Sequence, residues 1–200
     1  MLIEPRGPRD KLWELAVSQR GYFTAAQAVQ VGYSHQAQHF HVQRGNWLRI
    51  DRGLYRLREF TILPANEHDH LIRWWLWSKG RAVVSHATAL VVHDLGIANP
   101  EKVHLTVGPG FRQRDDALVI HRAALEPGEV EDREGFRVTT PVRAIAECAA
   151  EGIGQDVLDS AVAEILARGE ATRGQLLRAA QRLGAQAEMG VERAIREEPA

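Results

Sequence analysis

The spacing of apolar and polar positions within residues 9–57 is helical up to residue 43 and alternating after it, and predicts three helices followed by two strands. Leu12, Trp13, Leu15 and Ala16 recur at helical spacing, which predicts a helix over residues 9–18. Thr24 stands before the Ala-rich run 25–31 as a cap, Gly32 permits a sharp turn, and Ser34 caps a second short helix over 35–43 that Gly45 can end in the left-handed conformation. On that second helix Tyr33, Ala37 and Phe40 form the expected inward stripe, which turns His35, Gln36, Gln38, His39 and Gln43 outward. Residues 47–50 then alternate apolar and polar, 51–53 supply tight-turn chemistry, and 54–57 alternate again, the pattern of a hairpin. Two short helices joined by a glycine turn and followed by a hairpin are a winged helix-turn-helix, here expected over residues 1–60. Residues 1–7 read as a loose tail.

Pro64 within REFTILPAN marks a domain boundary, and the second domain is expected over residues 67–200. Residues 67–79 place Leu71, Trp74, Trp75 and Leu76 at helical spacing, and Trp74, Trp75 and Trp77 either fill a core or line a partner surface. Ser85 is the expected cap of a helix running to about His93 and ending at Gly96. The β-rich segments 102–107 and 117–121 are expected to pair as a hairpin whose long tip carries Arg112 and Arg114. An acidic connector over 124–135 leads to a third strand, 136–139. Thr140-Pro141 starts a helix to residue 151, further helices follow over 155–167 and 173–183, and the tail from Gly184 reads as partly helical. The fold class is therefore α+β: an N-terminal winged helix-turn-helix, then a mixed α/β domain with short strands and several helices.

Composition adds two points. With 44% hydrophobic and 26% charged residues the chain is ordinary for a globular protein, and no apolar run approaches the roughly 18 residues of a membrane span or follows a basic start, so a cytoplasmic protein without membrane contact is expected. The lone Cys148 lies in an apolar helical run, where packing is its expected role. The net charge of −1 hides an asymmetry: residues 1–60 carry nine Lys and Arg against five Asp and Glu, whereas residues 61–200 carry sixteen against twenty-one.

A locally basic module with a hydrogen-bonding helix face suits double-stranded DNA. A helix enters the major groove, Gln pairs bidentately with adenine, and Ser, His and Arg donate to bases or phosphates. The candidate base-reading residues are Ser34, His35, Gln36, Gln38, His39 and Gln43, with Arg44, Arg49, Arg52 and Arg56 as backbone and wing contacts. Imidazole titrates near 6.5, so His35, His39 and His41 predict operator affinity that rises between about pH 8 and about pH 6.

Catalytic and metal chemistry find no signature by spacing. His68 and His70 point apart on a helix, and His86 with His93 lacks the four-residue separation that presents two ligands to one ion. Ser85-His86 lies in no nucleophile elbow, none of the three lysines follows a carboxylate by two positions as a metal nuclease requires, and the glycines near 108–110 lack the Lys-Ser/Thr of a phosphate loop. No enzyme activity, cofactor or metal is expected. Two other classes stay open: an interaction module using Trp74, Trp75 and Trp77, and a hydrolase or nuclease whose His86, His93, His104 and His121 converge in one pocket.

GYFTAAQAVQVGYSHQAQHFHVQRGNWLRIDRGLYRL closely resembles the N-terminal winged-helix domain of the AbiEi family, the antitoxins of type IV toxin–antitoxin systems. VVSHATALVVHDLGI, KVHLTV, VIHRA and FRVTTPVRAIAECAA resemble, in order, signature stretches of that family's C-terminal region, so the likeness covers roughly residues 13–167. The resemblance implies an autorepressor whose first domain binds promoter inverted repeats and whose second opposes a nucleotidyltransferase-like toxin, or a related regulator without a toxin. His35, His39 and His41 stand where relatives usually carry Arg, and Glu147 where an Asp is common.

Overall fold

The computed structural model describes residues 7–64 and 66–197. The expected tail over residues 1–7 lies, Gly7 apart, outside the described residues. The chain divides into two compact units, Met1–Gly80 with Glu134–Phe136, and Arg81–Arg133 with Arg137–Ala200. The first packing unit thus extends past residue 60 and takes in the tryptophan-rich helix.

The first unit runs α1 (Pro8–Val17), β1 (Tyr22–Thr24), α2 (Ala25–Gln30), α3 (His35–Gln43), β2 (Trp47–Asp51), β3 (Leu54–Leu57), a 3-10 turn and α4 (Asp69–Trp77). This is the element order of a winged helix-turn-helix. Thr24 and Gln27 form a reciprocal capping box at the start of α2, and the Ser34 hydroxyl accepts from the Ala37 amide at 3.1 Å to start α3. Gly32 and Gly45, with φ of +110° and +72°, make the turn between the helices and the end of α3 in backbone regions that a side chain disfavours. β2 and β3 pair antiparallel around the 51–53 turn, and β1, which the hydrophobic pattern does not disclose, adds to the other edge of β3. Leu12, Ala16, Phe23, Ala28, Trp47, Leu57 and Phe60 form the core, where Trp47 meets Phe23 edge-on at 4.8 Å. Such aromatic pairs add about 0.5–1.5 kcal/mol beyond the area they bury.

α4 buries Leu71, Ile72, Trp74 and Leu76. Trp75 and Trp77 are half-buried, so the three rings are not exposed together as a tryptophan docking surface requires.

The second unit contains β4 (Val83–Val84), α5 (His86–Val92), β5 (Val103–Val107), β6 (Leu118–Arg122), β7 (Val130–Arg133), β8 (Phe136–Thr139, whose first residue groups with the first unit), α6 (Pro141–Glu151), α7 (Gln155–Ala167), α8 (Arg173–Leu183) and α9 (Ala185–Glu197). Its sheet has the order β6-β5-β4-β8-β7. Two expectations are corrected here. β5 and β6 pair in parallel, not as a hairpin, because residues 108–117 cross back along the sheet and do not reverse in place. The acidic connector contains a strand, β7, at the sheet edge, where charged side chains are tolerated because one strand flank faces solvent. α6, started by Thr140 and Pro141, is buried from Arg143 to Ala149 and packs against α5, α7, α8 and α9. Cys148 lies within it, and burial raises its thiol above the ordinary value.

Candidate nucleic-acid interface

The exposed side of α3 is a contiguous arc. Successive residues turn by about 100°, so His35, Gln36, His39, Phe40, Gln43 and the following Arg44 share one half of the helix, and all six are exposed. The inward half is Ala37, Gln38, His41 and Val42. The expected stripe is therefore rotated by one position, and two residues exchange roles. Gln38 is 3% exposed and its amide donates to the Ala25 carbonyl at 3.2 Å, tying α3 to α2, so it does not face outward. Phe40, expected inside, is 50% exposed, with the Arg44 guanidinium 5.3 Å from its ring centroid. His41 also turns in: its ring stacks on Trp47 at 4.9 Å and 13°, and Nδ1 lies 3.2 Å from Asn46 Nδ2. The polar character of Gln38 and His41 conceals the inward stripe. The better sequence signal within the helix is the repeat of positions 37, 38, 41 and 42, while Tyr33, lying before the helix, packs against the core as expected.

Ser34 is exposed but its hydroxyl is committed to the cap. In the hairpin Arg49 and Arg52 are exposed, Arg52 at the tip, where its amide donates to Asp51 Oδ1 at 2.6 Å. Asp51 is itself paired with Arg73 at 2.7 Å, which offsets its charge beside the wing. Arg56, expected as a wing contact, is drawn inward. Its guanidinium lies over the Tyr22 ring at 4.8 Å, Nε donates to the Arg20 carbonyl at 3.2 Å, and Nη2 is 3.9 Å from Asp69 Oδ2. It lies on the face of β3 opposite the core residues Tyr55 and Leu57, and these contacts hold it against the sheet.

The second unit holds a buried polar network that the spacing of its residues along the chain does not suggest. Ser85 makes no cap. Its Oγ lies 2.9 Å from His86 Nδ1 and accepts from Thr106 Oγ1 at 2.8 Å, and the side chain is fully buried. Glu147 accepts from the His86 amide at 3.3 Å, Thr139 Oγ1 at 3.2 Å and Arg143 Nε at 2.9 Å, and Arg143 reaches on to Glu129 at 3.1 Å. Burial raises the Glu147 carboxyl above the usual range, against the lowering influence of Arg143. Burial also pushes His86 down to about 3, with His121, His104 and Arg143 adding to it, and lowers His104 and His121. Three of the four histidines considered for an enzyme site, His86, His104 and His121, come together, and His93 stands apart from them.

His93 Nε2 donates to the Thr139 carbonyl at 2.8 Å, and Nδ1 accepts from Arg133 at 3.2 Å. Burial is the main cause that lowers its proton affinity and Arg133 adds to it, against the Thr139 carbonyl, Glu131 and Glu170, while Arg168 binds the His93 carbonyl. The unfolded chain therefore takes up the proton first. The stability His93 supports is complete above about pH 6.5 and is lost as pH falls toward the depressed folded value. In urea unfolding, the wild type should lose more stability between about pH 7.5 and about pH 5.5 than His93→Gln, which keeps the donor to Thr139. Equal losses would contradict this role.

Residues 10–58 match the family described as "Transcriptional regulator, AbiEi antitoxin", so the resemblance drawn from the sequence holds over the segment that builds α1 to β3. No curated protein matches the chain. Among solved structures, the crystal structure of the Rv2827c protein from Mycobacterium tuberculosis is similar over 98% of this chain and 84% of that one, at 12% identity and a TM-score of 0.52, a likeness of fold.

Proposed function

We propose that the chain is a sequence-specific DNA-binding regulator of transcription that acts on its own promoter. The observation that carries this reading is the unbroken exposed arc His35, Gln36, His39, Phe40, Gln43 and Arg44 on α3, set between a capped helix start and a hairpin with Arg49 and Arg52 exposed. The arc contains no acidic residue. α3 enters the major groove, Gln36 and Gln43 hydrogen-bond base edges, Phe40 meets a thymine methyl, and Arg44, Arg49 and Arg52 hold phosphates.

Arg52→Ala should weaken binding to every duplex alike and reduce the salt slope by about 0.9 log units for each phosphate it no longer neutralises. Arg56→Ala should instead lower the melting temperature, since it leaves Asp69 with Arg20 as its remaining cation at 2.7 Å. Mobility shifts and thermal unfolding on both variants check the pair, and uniform DNA loss in Arg56→Ala without destabilisation would reverse the assignment.

The family likeness of residues 10–58 and the resemblance of the second half support an antitoxin role, with the second unit opposing a nucleotidyltransferase-like toxin in the cytoplasm. Co-expression with a nucleotidyltransferase encoded in the neighbouring frame tests it: growth arrest by that protein should be relieved by the full chain. No described helix is long and apolar enough to cross a membrane. The protein is read as non-catalytic, and the Ser85 hydroxyl beside His86 is fully buried.

A further inference from the structure

Within the second unit three imidazoles from three elements meet. His86 opens α5, His104 lies on β5 and His121 on β6, and one nitrogen of each falls within 4.8 Å of the others. We propose that His86, His104 and His121 form a site for a divalent transition-metal ion of the zinc class, with the Glu151 carboxylate on its open side.

The parallel register creates the site. Thr106 lies opposite His121 and His104 opposite Val119, so residues 104, 106, 119 and 121 share one sheet face, and α5 packs on β5. A tetrahedral ion bonded to nitrogen at about 2.0–2.1 Å holds its ligand atoms roughly 3.4 Å apart. His104 Nδ1 and His121 Nε2 are already 3.1 Å apart in a hydrogen bond that an ion bridging the two would replace. His86 stacks on His121 at 3.5 Å and 15°, so coordination tilts one of these rings about its terminal torsion.

The surroundings resemble the outer shell of a metal site. Ser85 Oγ at 2.9 Å occupies His86 Nδ1, which leaves Nε2 as its ligand atom, and Thr106 Oγ1 fixes the serine in turn. The two Glu151 oxygens lie 3.7 Å from His104 Nδ1 and 3.7 Å from His121 Nδ1, near enough to complete the shell or to orient a ring. Imidazole with carboxylate and no thiolate suits zinc and its neighbours, whereas calcium and magnesium take oxygen. A cavity of about 380 Å³ lined by His104, Cys148, Glu151 and Gly152 borders the cluster on its His104 and Glu151 side, and burial keeps the Cys148 thiol protonated. His86 itself is a non-glycine residue at φ +53°, kept there by the bond from its amide to Glu147. A costly backbone conformation retained at the centre of such a cluster is expected of a functional position.

An ion here joins the start of α5 to two strands at the sheet edge, so it stabilises the second unit by binding the folded state. The test uses the full chain, stripped with chelator, equilibrated with Zn²⁺ and freed of excess. The expected result is one zinc per chain, an X-ray absorption spectrum with the multiple scattering of several imidazoles, and a melting temperature raised by zinc. His104→Gln with His121→Gln should lose the ion, and His68→Gln with His70→Gln at the start of α4 should keep it. Absence of bound zinc, retention by the first double variant, or a first shell without imidazole would overturn the proposal. The absorption spectrum of the wild type decides even where that variant fails to fold.

Discussion

Arg143→Ala is expected to destabilise the protein by about 3–5 kcal/mol, the largest single effect foreseen in this chain. Arg143 and Glu147 are 9% and 3% exposed and joined at 2.9 Å on successive turns of α6. The arginine also holds Glu129 at 3.1 Å, a carboxylate that Arg182 approaches at 3.4 Å from the solvent side. Removing the cation leaves Glu147 in the interior with hydroxyl and amide donors alone, and burial already drives that carboxyl toward its neutral form. The penalty comes from the stranded charge, so Arg143→Met combined with Glu147→Met should recover most of the loss. Urea unfolding of the single and double variants measures it. A single-variant loss under about 1 kcal/mol would place the pair with weak surface ion pairs and contradict this account.

The second large effect separates two glutamines two residues apart. Gln36→Ala should cost about 1–3 kcal/mol of discrimination at one base pair of the bound sequence, while stability stays within about 0.5 kcal/mol of wild type. Gln38→Ala should do the reverse, removing the donor to the Ala25 carbonyl and lowering stability by about 0.5–1.5 kcal/mol, with base preference unchanged. Binding to a panel of single-base variants, read beside thermal unfolding, distinguishes them. Relaxed base preference in Gln38→Ala without destabilisation would show that the outward arc has been placed on the wrong side of α3.

The helices were the most legible part of the chain because their ends carry chemistry. Thr24, Ser34, Thr140 and Thr172 all cap helices with their side chains, and proline and glycine punctuate the rest. Strand partners were less legible, since pairing is set by chain paths that no local pattern records. Residues 103–107 and 118–122 look alike whether parallel or antiparallel, and only the parallel register places Thr106 opposite His121. The three-residue β1 is too short to show alternation, yet it closes the three-stranded sheet of the first unit. Of the candidate DNA-facing residues, Ser34, His35, Gln36, His39, Gln43, Arg44, Arg49 and Arg52 are exposed. Gln38 and Arg56 are turned in, and each donates to a backbone carbonyl, a use of polar side chains that periodicity reads as solvent exposure.

The most direct test of the central claim is the affinity of the full chain for duplex DNA from its own promoter, measured across a series of salt concentrations with a scrambled duplex as reference. Binding should be tighter to the promoter, with the logarithm of affinity falling linearly against the logarithm of salt by about 0.9 for each phosphate neutralised. Equal affinity for both duplexes, or a flat response to salt, would contradict it.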